Sequence, residues 1–241
     1  MRFRDVGIAE GHMVAYAGGL AAGGLRPVVA VYSTFLQRAV DQVFHDVCLA
    51  NLPVVFCVDR AGIVGRDGVT HQGLYDLAML RALPNLTICQ PKDEADFRAL
   101  FDEALRRNGP TVIRYPRGVI PPPPPHHQPS PSAFAIWATG DWYGRAVEVA
   151  ARLGGTAVHA RYLKPFDADL LARQRAAGLK VVSLENASVT GGLGEAIGAD
   201  IRFGWPDAPV PHGAPEELER RNGLDVDGIV RTLAKNLGKE D

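Results

Sequence analysis

Residue types able to hold an anion recur at short intervals along this chain. Tyr32, Phe35 and Arg38 follow one apolar run and Arg60 follows a second. Asp67 and His71 lie in the glycine-rich stretch AGIVGRDGVTHQG, and Arg114 and Arg117 sit in the run GPTVIRYPRG. Guanidinium groups fork onto phosphate or carboxylate, and a glycine-rich loop lets backbone approach a ligand closely. Glu10 poses a separate question, because it is the one acidic side chain within IAEGHMVAYAGGLAAGG, which otherwise reads as buried helix. Each residue also has a plainer reading: an Asp or His in a turn is usually turn chemistry, and Arg117 beside Pro116 could simply hydrogen-bond the linker that follows. Their clustering favours a site.

The elements that must carry these residues can be read from periodicity. RPVVAVYS (26–33) and LPVVFCVDR (52–60) predict buried parallel strands that end in polar residues. Between them, TFLQRAVDQVFHDVCLAN places Phe35, Leu36, Ala39, Val43 and Val47 at helical spacing. LTICQP predicts a third strand, KDEADFRALFDEALRRN a charged amphipathic helix, and GPTVIRYPR a fourth strand. In an open α/β sheet ligands bind at the carboxyl ends of the strands, which is where the polar residues fall. RGVIPPPPPHHQPSPSA then predicts a semi-rigid linker, since prolines favour the extended polyproline conformation, and His126 and His127 read as solvated within it. Beyond it, AFAIWATG, GTAVHARYLKPFD and LKVVSLEN read as strands, with WYGRAVEVAARLG and DVDGIVRTLAKNLG as helices. The prediction is an α/β fold of two domains with mostly parallel sheets, residues 1–118 and 133–241, joined by a linker over 119–132.

Composition narrows the class of function. The formal net charge of -1, from 26 basic and 27 acidic residues, gives no sign of a nucleic acid or a charged membrane surface as partner. Cys48, Cys57 and Cys89 are too few and too scattered for a disulfide framework, and they lack zinc-site spacing. A reducing, cytoplasmic setting fits best. No apolar run approaches the roughly 18 residues of a membrane helix, so the expectation is a soluble protein.

Longer strings carry a family likeness. DVGIAEGH, AAGGLRPVVAVYSTFLQRAVDQVFHDV, DRAGIVGRDGVTHQG and RYPRG closely resemble the 1-deoxy-D-xylulose-5-phosphate synthases, which are transketolase-like thiamine-diphosphate enzymes. YLKPFD and SLENASVTGGLGEAIG resemble the C-terminal domain of the same enzymes, and the likeness is closer up to Gly118 than after it. The resemblance implies a transferase that decarboxylates pyruvate, or a similar 2-oxo acid, and joins the two-carbon unit to an aldehyde such as glyceraldehyde 3-phosphate. It implies that Glu10 hydrogen-bonds N1′ of the cofactor's aminopyrimidine, that Phe35 packs on that ring and that Arg38 lies near it. Tyr32, Arg60 and Arg117 then match the group holding the acceptor phosphate, and Asp67 and His71 match side chains touching the donor–acceptor adduct. His12 reads as packing beside the motif and His45 as helix structure.

The same likeness implies a partner. The diphosphate-binding GDG motif of these enzymes does not occur here, so Mg2+ is expected to be bound mainly by a second subunit, with no metal ligands from this chain. A first strand and helix of the pyrimidine-binding domain are expected from that subunit too, in a heterotetramer. Gly11, Arg66 and Val69 depart from the family's usual residues, and the C-terminal domain reads as abbreviated. Ketol transfer as in transketolase, and a noncatalytic assembly or regulatory paralogue, are the alternative readings.

Overall fold

The computed structural model describes residues 3–119, 122 and 133–238. The predicted linker therefore lies almost wholly outside the described residues, and so do His126 and His127.

The first half opens with helix α1 (Glu10–Ala22), followed by strand β1 (Val28–Tyr32). The predicted single helix after β1 is a broken helical run instead. It comprises α2 (Ser33–Leu36), a 3-10 turn (Gln37–Ala39), α3 (Val40–Gln42) and a π turn (Val43–Cys48). Its apolar positions still face inward as spaced, with Leu36, Ala39, Val43 and Val47 buried. Strand β2 (Val55–Asp59), helix α4 (Asp76–Arg81), strand β3 (Thr87–Cys89), helix α5 (Glu94–Arg106) and strand β4 (Thr111–Arg114) complete this half. The side chain of Asp93 caps α5 by accepting a bond from the amide of Asp96, which fixes where that helix starts.

The second half contains β5 (Phe134–Ala138), α6 (Tyr143–Leu153), β6 (Thr156–His159), β7 (Tyr162–Lys164), α7 (Ala168–Ala176) and β8 (Lys180–Ser188). It closes with α8 (Leu193–Ala196), β9 (Ile201–Trp205), α9 (Pro215–Arg221) and α10 (Val226–Asn236).

Two sheets result. The first runs β1-β2-β4-β3-β7 and the second β6-β5-β8-β9. All pairings are parallel except that of β3 with β7, so the mostly parallel α/β architecture is as expected. The stretch read as GTAVHARYLKPFD divides: β6 joins the second sheet, while β7 crosses over and adds an antiparallel edge to the first. The halves thus share a sheet, and they share a core. Phe56, Val58 and Val112 of the first sheet lie in one buried cluster with Ala135, Trp137 and Val181 of the second. Strands covered on both faces read as continuous apolar runs, which is why VFCVD and TVIR were legible as strands.

Candidate active site

Six of the residues singled out in the sequence form one connected group at the C-terminal ends of β1, β2 and β4. The ring of Tyr32, last residue of β1, lies 5.2 Å from that of Phe35. Phe35 in turn meets the imidazole of His71 edge-on at 5.7 Å. On its other side Tyr32 carries the guanidinium of Arg60, 3.8 Å from the ring centroid. Arg60 Nη1 reaches Asp67 Oδ2 at 3.3 Å, and Arg117 Nη1 reaches Asp67 Oδ1 at 2.6 Å. The hydrogen bond from Arg117, together with the charges of Arg117, Arg60 and His71, holds the Asp67 carboxyl below the usual carboxylate range. Without an anion bound, one carboxylate answers two guanidinium groups. A phosphate arriving there exchanges one anionic partner for another and does not have to find bare cations.

Backbone geometry explains how the loop holds this arrangement. Arg60 itself adopts a left-handed conformation, with φ 58°, which is costly for a non-glycine residue and turns the chain sharply at the end of β2. Gly62 and Gly73 then bond to each other across the loop, amide to carbonyl in both directions, at 2.6 and 2.8 Å. A Cβ on Gly73 would stand 2.1 Å from the Arg60 carbonyl oxygen, so only glycine permits that closure. Gln72 closes the inner side: its Oε1 accepts from the amides of Val64 and Gly65 at 2.9 and 3.1 Å. Asn186 anchors the loop to the second sheet, its Oδ1 accepting from the Ile63 amide at 3.0 Å and from Trp205 Nε1 at 2.9 Å.

Glu10 and Arg38 form a second group. Glu10 is the first residue of α1 and is 8% exposed. Its one ion-pair partner among the described residues is Arg38, with Nη1 3.8 Å from Oε2, too far for a hydrogen bond. The Glu10 carboxylate is thus sequestered with no hydrogen bond from the described residues. Phe35 and Arg38 lie on the same helical run, three residues apart. His12 is exposed and stacks on Tyr16 at 6.0 Å, facing away from a packed second layer. His45 is exposed as well and bonds to Asp46, which raises its pKa.

Arg114 leaves the candidate list. It is 0% exposed and pairs with Asp76 through Nε and Nη2 at 3.1 and 2.9 Å, with Nη1 bonded to Gln90 Oε1 at 2.6 Å. Four of its five N–H groups are taken and the side chain is sealed from solvent, so its role is to join β4 to α4 and to the residue that follows β3. Sequence reasoning missed Gln72 and Asn186, and the only signal was their place inside the resembling strings. The three thiols are buried and free, with pKa values pushed up to about 11 for Cys48 and Cys57 and about 12 for Cys89, so they are no nucleophiles. Among the described residues no group of three His, Cys, Asp or Glu is placed to hold a metal ion, and no helix is long and apolar enough to cross a membrane.

Residues 1–123 match the family described as the transketolase pyrimidine-binding domain. The chain belongs to that family. It is 43% identical over 265 residues to 1-deoxy-D-xylulose-5-phosphate synthase 2 of Geobacter sulfurreducens, covering 97% of this chain and 42% of that protein. A 1-deoxy-D-xylulose-5-phosphate synthase from a Polaromonas species is 42% identical over 260 residues, covering 98% of this chain and 41% of that enzyme. The chain therefore spans about two fifths of the length of these curated relatives. Among solved structures, a split-gene transketolase described as an inactive beta4 tetramer superposes with a TM-score of 0.86 at 29% identity, covering all of this chain and 86% of that one. Transketolase from Campylobacter jejuni superposes with a TM-score of 0.83 over 95% of this chain and 39% of that one; at 20% identity it bears on the fold alone.

Proposed function

We propose that this chain is the C-terminal subunit of a split, thiamine-diphosphate-dependent synthase of the 1-deoxy-D-xylulose-5-phosphate synthase kind. The observation that carries the reading is the Arg60–Asp67–Arg117 group set against Tyr32, a ready anion site at the strand ends. Residues 1–118 act as the pyrimidine-binding domain and 133–241 as a transketolase C-terminal-like domain. When bound, thiamine diphosphate supplies the carbanion chemistry by which pyruvate, or a similar 2-oxo acid, loses CO2 and its two-carbon unit joins an aldehyde.

The residues of this chain bind and orient. Glu10 holds a proton at the pyrimidine N1′, Phe35 packs on the pyrimidine face, and Arg38 keeps the Glu10 carboxylate company from solvent. Arg60, Arg117 and Tyr32 hold the phosphate of an acceptor such as glyceraldehyde 3-phosphate. Asp67 keeps the two guanidinium groups parallel to their task, and His71, braced by Phe35 and by Thr70 Oγ1 at 3.0 Å from Nδ1, faces the reacting carbonyl. An acceptor-phosphate set of this kind favours the synthase over ketol transfer between sugars. The retention of Glu10 and His71 favours either over a noncatalytic paralogue.

A second subunit would supply the diphosphate-binding domain and most of the Mg2+ ligands, in a heterotetramer with two copies of each chain. In support, the split-gene transketolase that superposes on this chain is described as an inactive beta4 tetramer. Strand β1 is an edge of its sheet, paired among the described residues with β2 alone, and it exposes Val28. The exposed face of α1 includes Ala15, Tyr16 and Gly19, an apolar surface for a helix at a molecular boundary. Buried, free thiols accord with a reducing cytoplasm.

The test is reconstitution with a second chain that carries the GDG motif. Wild-type complex should release CO2 from pyruvate only when an aldehyde phosphate is also consumed. Glu10→Gln should slow deuterium exchange at the cofactor's C2 by about 10²–10⁴-fold with assembly intact. Ketose–aldose exchange without CO2 release would transfer the reading to transketolase chemistry. Wild-type exchange in the variant would overturn the role of Glu10.

A further inference from the structure

The loop between β2 and α4 belongs to the first half by sequence and is held by the second. Its root, residues 61–65 and 72–74, is buried, whereas its tip carries Asp67 and His71. Ile63 and Leu74, 7% and 1% exposed, pack in the apolar core of the second half with Phe134, Trp142 and Trp205. Gly65 presses on the same half, where a Cβ would stand 2.6 Å from the Gly213 carbonyl oxygen and 2.7 Å from the Pro215 ring.

Every backbone amide of residues 61–65 has an acceptor. Ala61 donates to the Tyr115 carbonyl at 3.0 Å, Gly62 to the Gly73 carbonyl at 2.6 Å, and Val64 and Gly65 both to Gln72 Oε1. Those acceptors come from the first half. Ile63 alone among the five reaches across, to Asn186 Oδ1 at 3.0 Å. Asn186 is 2% exposed, and its carboxamide is fixed in that sense because Trp205 Nε1, which can only donate, meets the same Oδ1 at 2.9 Å. The carboxamide also abuts the loop, since a Cβ on Gly62 would stand 2.4 Å from Asn186 Cγ.

We propose that Asn186 is a positioning residue for the acceptor site: by holding Ile63 it sets the loop so that Asp67 bridges Arg60 and Arg117. The inference rests on the acceptor-phosphate reading and deepens it. The second half supplies none of the phosphate-binding side chains, yet it fixes their spacing. Without the Asn186 oxygen, the Ile63 amide and the Trp205 indole would both be buried with no acceptor, a cost that drives the root to seek other partners. A root that shifts no longer holds its tip in one place.

Hydrogen–deuterium exchange on the full chain reads the loop without any turnover. Asn186→Leu and Asn186→Ala, which lack the accepting oxygen, should speed exchange of the 61–65 amides about tenfold while β2 and β4 keep their rates. In the reconstituted complex the same variants should raise KM for a phosphorylated aldehyde about tenfold, with kcat and the KM for the 2-oxo acid little changed. Asn186→Asp keeps the accepting oxygen and should keep the wild-type exchange and acceptor KM. Ile229→Ala, a core truncation on α10 of the same half, should lower the melting temperature and leave acceptor KM unchanged. Wild-type loop exchange in both Asn186 truncations, faster exchange with an unchanged acceptor KM, or an equal KM rise in Ile229→Ala would overturn the proposal. A wild-type complex that consumes no phosphorylated aldehyde would sink the acceptor reading instead, and the exchange comparison would still decide whether Asn186 holds the loop.

Discussion

Arg114 and Arg117 stand three residues apart, one on β4 and one just beyond it, and they have opposite fates. Arg114 is sealed between the sheets, 0% exposed, with Asp76, Gln90 and the Asn186 carbonyl meeting its fork. Arg117 leaves 48% of its side chain in solvent and shares a single carboxylate with Arg60. Burial makes the first a joint between elements, because a desolvated charge tolerates no change of partner. Exposure leaves the second able to change partners. Residue type set the capacity of both, and depth decided its use.

The largest effect that would break this contrast is expected at the sealed arginine. Arg114→Met should cost about 3–5 kcal/mol of unfolding free energy in urea, since it strands Asp76 without its counterion. Pairing it with Asp76→Leu should recover much of that loss, because both charges are then gone. A single substitution with no effect on the unfolding midpoint would mean that the buried pair is not closed.

Next to it, Glu185 extends the sealed region. It accepts the amides of Leu193 and Gly194 at 2.6 and 2.9 Å, and burial pushes its pKa up to about 7. A carboxyl that holds its proton more tightly when folded gives full stability below its unfolded value of 4.5, and that stability is lost as pH rises through about 7. The drop between pH 4 and 8 should be on the order of 2–3 kcal/mol, and Glu185→Gln should flatten it in pH-dependent thermal melts. A slope unchanged in the variant would assign it to other groups.

At the exposed arginine the order of effects reverses. Arg117→Met should shift stability by less than about 1 kcal/mol, as for other solvent-facing pairs. In the reconstituted complex it should raise KM for a phosphorylated acceptor by about tenfold or more, with kcat less affected. Equal loss of stability in the Arg114 and Arg117 variants would erase the distinction.

The smallest effect belongs to Asp67. Its lowered pKa makes its contribution present above the ordinary carboxylate range and lost as pH falls through the folded value. Asp67→Asn should therefore change thermal stability little at pH 7, and it should remove a shallow acid-side slope measurable below about pH 4.

Strand identity, the parallel α/β class and the polar residues gathered at the strand ends were legible because their causes are local. VVAVY, VFCVD and TVIR are continuous apolar runs, and the polar residues sit at their carboxyl ends, where topology places ligands. Glu10 was conspicuous because a carboxylate within an apolar run needs a partner. Other features were not local. The break of the run 33–48 into α, 3-10 and π turns, which pack against α1 and β1, is something periodicity does not record. The departure of β7 from β6 turns two residues, Ala160 and Arg161, into a crossing between sheets.

The sequence by itself determined which side chains could bind an anion and which segments would carry them, because composition and spacing are properties of neighbours along the chain. Only the tertiary structure decided which arginine is sealed and which stays exposed, and that Asn186 and Gln72 hold the loop. Those outcomes depend on depth and on contacts between residues far apart in the chain. Asn186 meets Ile63 from 123 positions away, and no local pattern encodes such a meeting.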